Sequence, residues 1–234
     1  GGAMIGFLGS AAALTLGRHS RSRRTGTAII DAISPPLEAP TPPSMGGYEF
    51  ATVDDVIDGL MTSSIRRVVV ASPTSVGERP LSVDIARRLS LRGRSVALVD
   101  LSSEQSSSKA MGVSSDASGI ADLIRADAKV SDIIRCDFAT SADVVPRGRA
   151  SLDDRQENGL GNRDALKLIE VSYQTVVVDF GNREPSAIRR VLDNDAALLV
   201  NAEPCVRGEI ETAISALRAE GLMDLILVRD RPVI

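Results

Sequence analysis

Tryptophan is absent from the 234-residue chain, and aromatic side chains make up only 3% of it. A core built without them is aliphatic. Base-stacking recognition of nucleic acid, which needs exposed aromatics, is excluded. One histidine, His19, and two distant cysteines, Cys136 and Cys205, leave no cluster with zinc-ligand spacing. The cysteines read as two buried thiols in a reducing compartment. Lysine is scarce: only Lys109, Lys129 and Lys167 are lysines among 27 basic residues. A net charge of −4 provides no broad basic face for nucleic acid. Apolar residues at 43% and this length suit one sizeable domain with extensions.

Long hydrophobic runs are missing too. The most apolar stretch, Met4 to Gly17, is about fourteen residues, too short to span a bilayer alone. It follows Gly1-Gly2-Ala3, which reads as a cloning scar, and precedes the basic run R-H-S-R-S-R-R at 18–24. An apolar run that ends in arginines has the polarity of the cytoplasmic end of a membrane helix. A signal peptide carries its charges first. Residues 1–24 therefore read as the clipped end of a transmembrane helix with its basic cytoplasmic flank. Residues 25–47 hold Pro35, Pro36, Pro40, Pro42, Pro43, Gly46 and Gly47 and read as a linker.

From Tyr48 to Ile234 the pattern alternates between helix and strand. Helices are expected at Val53–Met61 (capped by Thr52), Leu81–Leu91, Ile120–Arg125, Val130–Arg135, Arg163–Val171, Ala187–Leu192 and Arg207–Ala219. Strands are expected at Arg67–Ser72, Ser95–Asp100, Asp143–Val145, Thr175–Asp179, Ala196–Val200 and Leu225–Val228. Strands that are apolar throughout and separated by helices predict a single α/β domain, a mostly parallel sheet with helices on both faces.

In such a sheet ligands bind beyond the carboxyl ends of the strands. The first long strand leads into S-P-T-S-V-G-E-R-P-L-S at 72–82, the place for a phosphate-binding loop. The second ends in Asp100, and T-V-V-V-D ends in Asp179. Two acidic strand ends beside a loop before a helix frame a Mg-nucleotide site. The same two carboxylates can equally serve as strand-end caps for nearby helices.

The run from Val68 to Asp100 resembles the first part of the bacterial tyrosine kinases (BY-kinases), cytoplasmic domains of exopolysaccharide co-polymerase and transport proteins. M-G-V-S-S-D-A-S-G-I-A-D-L-I-R-A-D-A-K-V-S-D-I-I at 111–134 is similar to that family's segment after its second strand. A-D-V-V-P-R-G at 142–148 and Y-Q-T-V-V-V-D-F-G at 173–181 resemble its later strand ends. The resemblance implies a P-loop NTPase fold of the MinD/ParA type over 48–234. It also implies a domain that follows a membrane helix on the cytoplasmic side of a bacterial inner membrane. Its partners would be the exopolysaccharide polymerisation and export machinery, with homo-oligomers as an open option.

The loop departs from the family pattern. A P-loop needs a lysine for the outer phosphates followed by a serine or threonine for Mg²⁺. Three registers place Glu78-Arg79, Arg79-Pro80 or Pro80-Leu81 at that pair, and none supplies it. A unit charge about 4 Å from another is worth about 4 kcal/mol at an effective dielectric of 20, so Glu78 in the lysine slot reverses a large attraction. Arg79 could still draw an anion, but Pro80 removes an N–H donor. Ser102 stands where the family's second acid falls, and Phe180-Gly181-Asn182 follows Asp179. Tyr48 and Tyr173 are the only tyrosines, so a tyrosine-rich tail is lacking within these residues.

The expected protein is thus a catalytically inactive BY-kinase-like domain, a scaffold or regulator in chain-length control and export. Gly77, Arg79, Asp100 and Asp179 form a vestigial nucleotide site. No cofactor or metal is expected, and weak ATP or ADP binding stays open. The alternative is an active ATPase or tyrosine autokinase with a non-standard loop that uses Arg79. A degenerate positioning ATPase is a third reading.

Overall fold

The computed structural model describes residues 48–74, 80–149, 161–193, 195–203 and 205–229. The apolar-basic segment 1–24, the linker 25–47 and the loop residues Gly77, Glu78 and Arg79 lie outside them.

The described residues begin with a two-residue strand β1 (Phe50–Ala51) and helix α1 (Val53–Thr62). Thr52 caps α1: its hydroxyl accepts the Asp55 N–H at 3.2 Å, while the Asp55 carboxylate accepts the Thr52 N–H at 3.0 Å. This reciprocal pair satisfies two of the helix's orphan donors. Val53, Val56, Ile57 and Leu60 follow at helical spacing and are buried. Strand β2 (Arg67–Ala71) leads to α2 (Leu81–Leu91), with Pro80 one residue before the helix. Then come β3 (Val96–Asp100), α3 (Ser106–Ala110), α4 (Ile120–Ile124), α5 (Val130–Ile133), β4 (Arg135–Cys136) and β5 (Asp143–Val145). The remainder alternates: α6 (Asn162–Glu170), β6 (Thr175–Gly181), α7 (Pro185–Val191), β7 (Ala196–Asn201), α8 (Arg207–Ala219) and β8 (Ile226–Val228).

The eight strands form one sheet in the order β1-β8-β7-β2-β6-β3-β5-β4. All pairings are parallel except β4 with β5. The strand period of two sorts side chains to the two faces. Val68, Val70, Leu98 and Val177 pack with α1, α2 and α3. Val69, Val99, Val176, Val178 and Phe180 pack with α4 to α8. Both faces are covered, as the fully apolar strands predict.

From β2 the chain crosses to β3 on one side, and from β6 it crosses to β7 on the other. The β2–β6 boundary is therefore a topological switch point, where such sheets open a crevice at their carboxyl ends. Asp179 stands beside it, on β6.

Three elements were not expected. Strand β1 exists only through its pairing with β8, Phe50 opposite Leu227 and Ala51 opposite Val228. Helix α3 is written S-S-S-K-A, a poor helix former by propensity. The helix expected over 130–135 stops at Ile133, and Arg135–Cys136 turns into an antiparallel edge strand. That corrects the thiol reading: Cys205 is buried, but Cys136 is exposed on the edge strand. Among the described residues no helix is long and apolar enough to cross a membrane.

Candidate functional site

Strands β3 and β6 pair with Asp100 directly opposite Asp179. Both carboxylates are withdrawn from solvent, at 0% and 1% exposure. A buried charge is costly unless it is paired, yet no described arginine or lysine forms an ion pair with either. Serines and backbone N–H groups take that place.

Asp100 Oδ1 accepts the Ser102 N–H at 3.0 Å and the Ser102 hydroxyl at 2.6 Å. Its Oδ2 accepts the Ser108 N–H at 2.8 Å. Helix α3 is thereby anchored on the end of β3, which explains a helix that propensity does not predict. Asp179 Oδ1 accepts the Gly181 N–H at 2.8 Å. Gly181 has φ +55° and its carbonyl accepts the Ser72 N–H at 2.8 Å. The register between β2 and β6 shifts by one residue there. A Cβ on Gly181 would stand 2.9 Å from that of Ser102, so only glycine fits this curl over the carboxylate pair.

Asp179 Oδ2 has two hydroxyl neighbours. Ser82, in the first turn of α2, is 3.0 Å away, and Ser107 of α3 makes a short contact. The two hydroxyl oxygens are 2.7 Å from each other. Both hydroxyls donate to Asp179 Oδ2, and these bonds favour the charged form. Burial, and then the neighbouring Asp100 charge, outweigh them and push Asp179 above the ordinary carboxylate range.

A carboxyl whose folded pKa is raised contributes stability below its unfolded value, near pH 4, and loses it as pH rises through the folded pKa. Asp179→Asn keeps an acceptor for Gly181 and offers two N–H groups to the two serine oxygens. It is expected to be more stable than wild type at pH 7, each kcal/mol gained raising Tm by about 2–4 °C, with a difference that shrinks toward pH 4. Thermal melts across that range check this. A variant less stable at pH 7 would show that the carboxylate is held ionised.

The sequence placed the hydroxyl slot of the phosphate loop at Arg79, Pro80 or Leu81. The α2 hydroxyl beside Asp179 is that of Ser82, and Leu81 precedes it. Leu81 is 8% exposed and packs in the core below α2. Ser82 and Ser107 were both missed in the sequence. The signal for Ser82 was its place in the first turn of a helix after a loop; Ser107 had none, because nothing local marks α3.

Gly77 and Arg79 lie outside the described residues, so the structure brings together only Asp100 and Asp179 of the four proposed site residues. The Ser102 hydroxyl donates to Asp100. The oxygen-only donor set has the right hardness for Mg²⁺. Its oxygens, however, are already engaged by hydroxyl and N–H donors in a site closed to solvent, so the residues as arranged do not fit the ion. A cleft of about 440 Å³ opens nearby between the ends of β2 and β6 and helices α7 and α8. Thr74, Arg183, Glu209 and Thr212 line it, and neither aspartate does.

No protein-family description matches the sequence, and no curated protein does. Solved structures match in fold. The BceF tyrosine kinase domain superposes with TM-score 0.59 at 18% identity, covering 76% of this chain and 76% of that one. The kinase domain of the Escherichia coli tyrosine kinase ETK gives 0.59 at 14% identity over 77% and 75%. The chain has the P-loop NTPase fold. A chain of the Aquifex aeolicus MinC:MinD cell division complex shares it, with TM-score 0.55 and 16% identity over 70% of this chain and 68% of that one.

Proposed function

We propose that this is a catalytically inactive BY-kinase-like domain that serves as a scaffold or regulator in exopolysaccharide chain-length control and export. The observation that carries the reading is the closed pair Asp100–Asp179. In an active phosphoryl-transfer site the acidic strand ends hold Mg²⁺, and a lysine reaches the outer phosphates. Here serines and backbone N–H groups engage both carboxylates, and Leu81 precedes Ser82, the α2 hydroxyl that faces Asp179. The tyrosine kinase domains among the structures of like fold support the reading, as do the collinear segments at 68–100, 111–134, 142–148 and 173–181. With that family come the remaining parts of the proposal: attachment to the bacterial inner membrane through the preceding segment, a cytoplasmic position, contact with the export machinery and self-association.

Isothermal titration of the chain with Mg-ATP and Mg-ADP is expected to show no saturation below about 1 mM, a free energy weaker than about −4 kcal/mol. Incubation with Mg-ATP is expected to leave no phosphotyrosine on Tyr48 or Tyr173. Micromolar binding or phosphotyrosine would overturn the proposal in favour of an active enzyme built on Arg79, and Arg79→Ala would then abolish turnover.

A further inference from the structure

The opposite edge of the sheet carries a second polar groove that the nucleotide-fold reading does not use. It holds about 450 Å³ at the amino ends of β2, β3 and β6. Arg66, Arg94, Ser64, Ser95, Ser172 and Gln174 line it, with Ile65 and Val171 as its apolar contacts.

The two arginines are held in an unusual way. Arg66 Nη2 donates to the Glu170 carbonyl at 2.5 Å and the Tyr173 carbonyl at 3.0 Å. Arg94 donates from Nη1 to Thr175 Oγ1 at 3.0 Å and from Nη2 to the Met61 carbonyl at 3.2 Å. All four acceptors are neutral. Neither guanidinium forms an ion pair among the described residues. The acidic groups nearby are engaged elsewhere: Glu170 Oε1 accepts Arg67 Nε at 2.5 Å, and Asp143 Oδ2 accepts the Tyr173 hydroxyl at 2.7 Å.

Two forks fixed in direction by neutral acceptors keep their full charge and further N–H donors: Nε and Nη1 of Arg66, and Nε of Arg94. The Ser64 and Ser172 hydroxyls make no side-chain hydrogen bond among the described residues and add donors to the same groove. Two guanidinium forks and two hydroxyls lining one groove suit the oxygens of a phosphoryl group, and a guanidinium fork binds these better than a single ammonium does.

We propose that this amino-edge groove is an anion site that takes a phosphoryl group, with Arg66 and Arg94 as its two cationic ligands. The site is independent of the nucleotide-fold reading, because it shares no residue with the Asp100–Asp179 pair. The phosphoryl group can belong to a free phosphate compound or to a lipid headgroup, and the shared chemistry is the doubly clamped phosphoryl oxygen.

The test is a titration of the full 234-residue chain with inorganic phosphate at constant ionic strength, read on the arginine Nε–Hε resonances. Saturable shifts confined to Arg66 and Arg94 are expected, with Kd of about 1 mM or tighter. Arg66→Gln with Arg94→Gln should weaken binding at least tenfold. Because both arginines also hold helix ends in place, a second variant guards against a folding artefact. Ser172→Asp introduces a carboxylate while leaving every arginine–carbonyl bond intact, and it should abolish the shifts with Tm unchanged. Arg207→Gln, at an exposed arginine already paired with Glu211, should change nothing. Phosphatidylglycerol vesicles that compete for the same two resonances would identify a headgroup as the source, and vesicles that leave them unmoved would identify a free phosphate compound; both outcomes support the site. Non-saturating shifts spread over all exposed arginines, or binding that survives in Ser172→Asp, would overturn it.

Discussion

Gly119→Ala is expected to destabilise the domain by about 4 kcal/mol or more, in the range where single substitutions are exceptional. A Cβ at this position would stand 2.0 Å from the Pro146 carbonyl oxygen, 2.4 Å from the Gly148 nitrogen and 2.6 Å from the Pro146 carbonyl carbon. Every one of these is backbone, so no side-chain rotation relieves the clash. The chain leaving β5 crosses the start of α4 at this point. Ile120 N–H donates to the Pro146 carbonyl and Ala121 N–H to the Arg147 carbonyl, each at 2.9 Å. These bonds satisfy two donors that a helix start leaves without intrahelical partners. Asp122 Oδ2 closes the crossing by accepting the Gly119 N–H at 2.8 Å. Moving the two segments apart to admit a methyl group breaks both carbonyl bonds and opens the core beneath Ile120 and Leu123. At about 2–4 °C per kcal/mol the melting temperature should fall by roughly 10 °C or more. Gly208→Ala is the control: it lies in α8 with nothing within 4 Å of the added carbon, so it should be neutral or stabilising. Equal melting temperatures for the two variants would show that the crossing gives way at little cost.

That crossing shows what sequence could and could not reveal. S-G-I-A-D-L at 118–123 and V-V-P-R-G at 144–148 stood out as segments similar to one family. Nothing in either told that they touch, because the contact joins residues some thirty positions apart. The sheet itself was readable. Runs such as V-V-V-A and T-V-V-V-D are apolar on both sides, and only a strand covered on both faces needs that. Thr52 before an amphipathic run marked α1 for the same local reason. Elements made by distant partners stayed hidden: β1 by its pairing with β8, β4 by its pairing with β5, and α3 by the Ser108 N–H on Asp100.

The candidate site divides along the same line. Asp100 and Asp179 were legible because a carboxylate at the end of a buried strand has few reasons to be there. Their state was not legible. Whether such a pair faces a cation or a set of hydroxyls depends on which serines the helices deliver. Ser82 and Ser107 arrive from two different helices, one of them unexpected. In the sequence, the loop at 72–82 lacks a lysine followed by a serine or threonine. The structure adds what the neighbouring serines do, which is to occupy the carboxylate oxygens that a metal would need.

Arg67→Ala should cost about 3–5 kcal/mol, the range for removing one partner of a buried ion pair. Arg66 and Arg67 are sequence neighbours at the start of β2, and both reach the end of α6, Arg66 to the Glu170 carbonyl and Arg67 to the Glu170 carboxylate. Arg66 is exposed at the amino-edge groove, while Arg67 is 2% exposed. Arg67 Nε donates to Glu170 Oε1 at 2.5 Å, and Nη1 donates to the Val191 carbonyl at 2.5 Å and to Asp193 Oδ2 at 2.9 Å. One side chain thus ties the start of β2 to the ends of α6 and α7. Truncation leaves the Val191 carbonyl unpaired and two carboxylates facing a void. Arg67→Lys keeps the charge, but a single ammonium on a flexible stem cannot reproduce a planar fork with three fixed directions. It should recover part of the loss and not all of it. Arg67→Met tests packing apart from charge, because it refills the stem volume and leaves the acids without a cation. The melting temperatures should order as wild type, Lys, Met, Ala. Combining Arg67→Met with Glu170→Gln should cost less than the two single losses added together, since the second change removes the carboxylate that the first left unpaired. Strict additivity in that cycle would mean that Arg67 holds the edge of the sheet by volume alone.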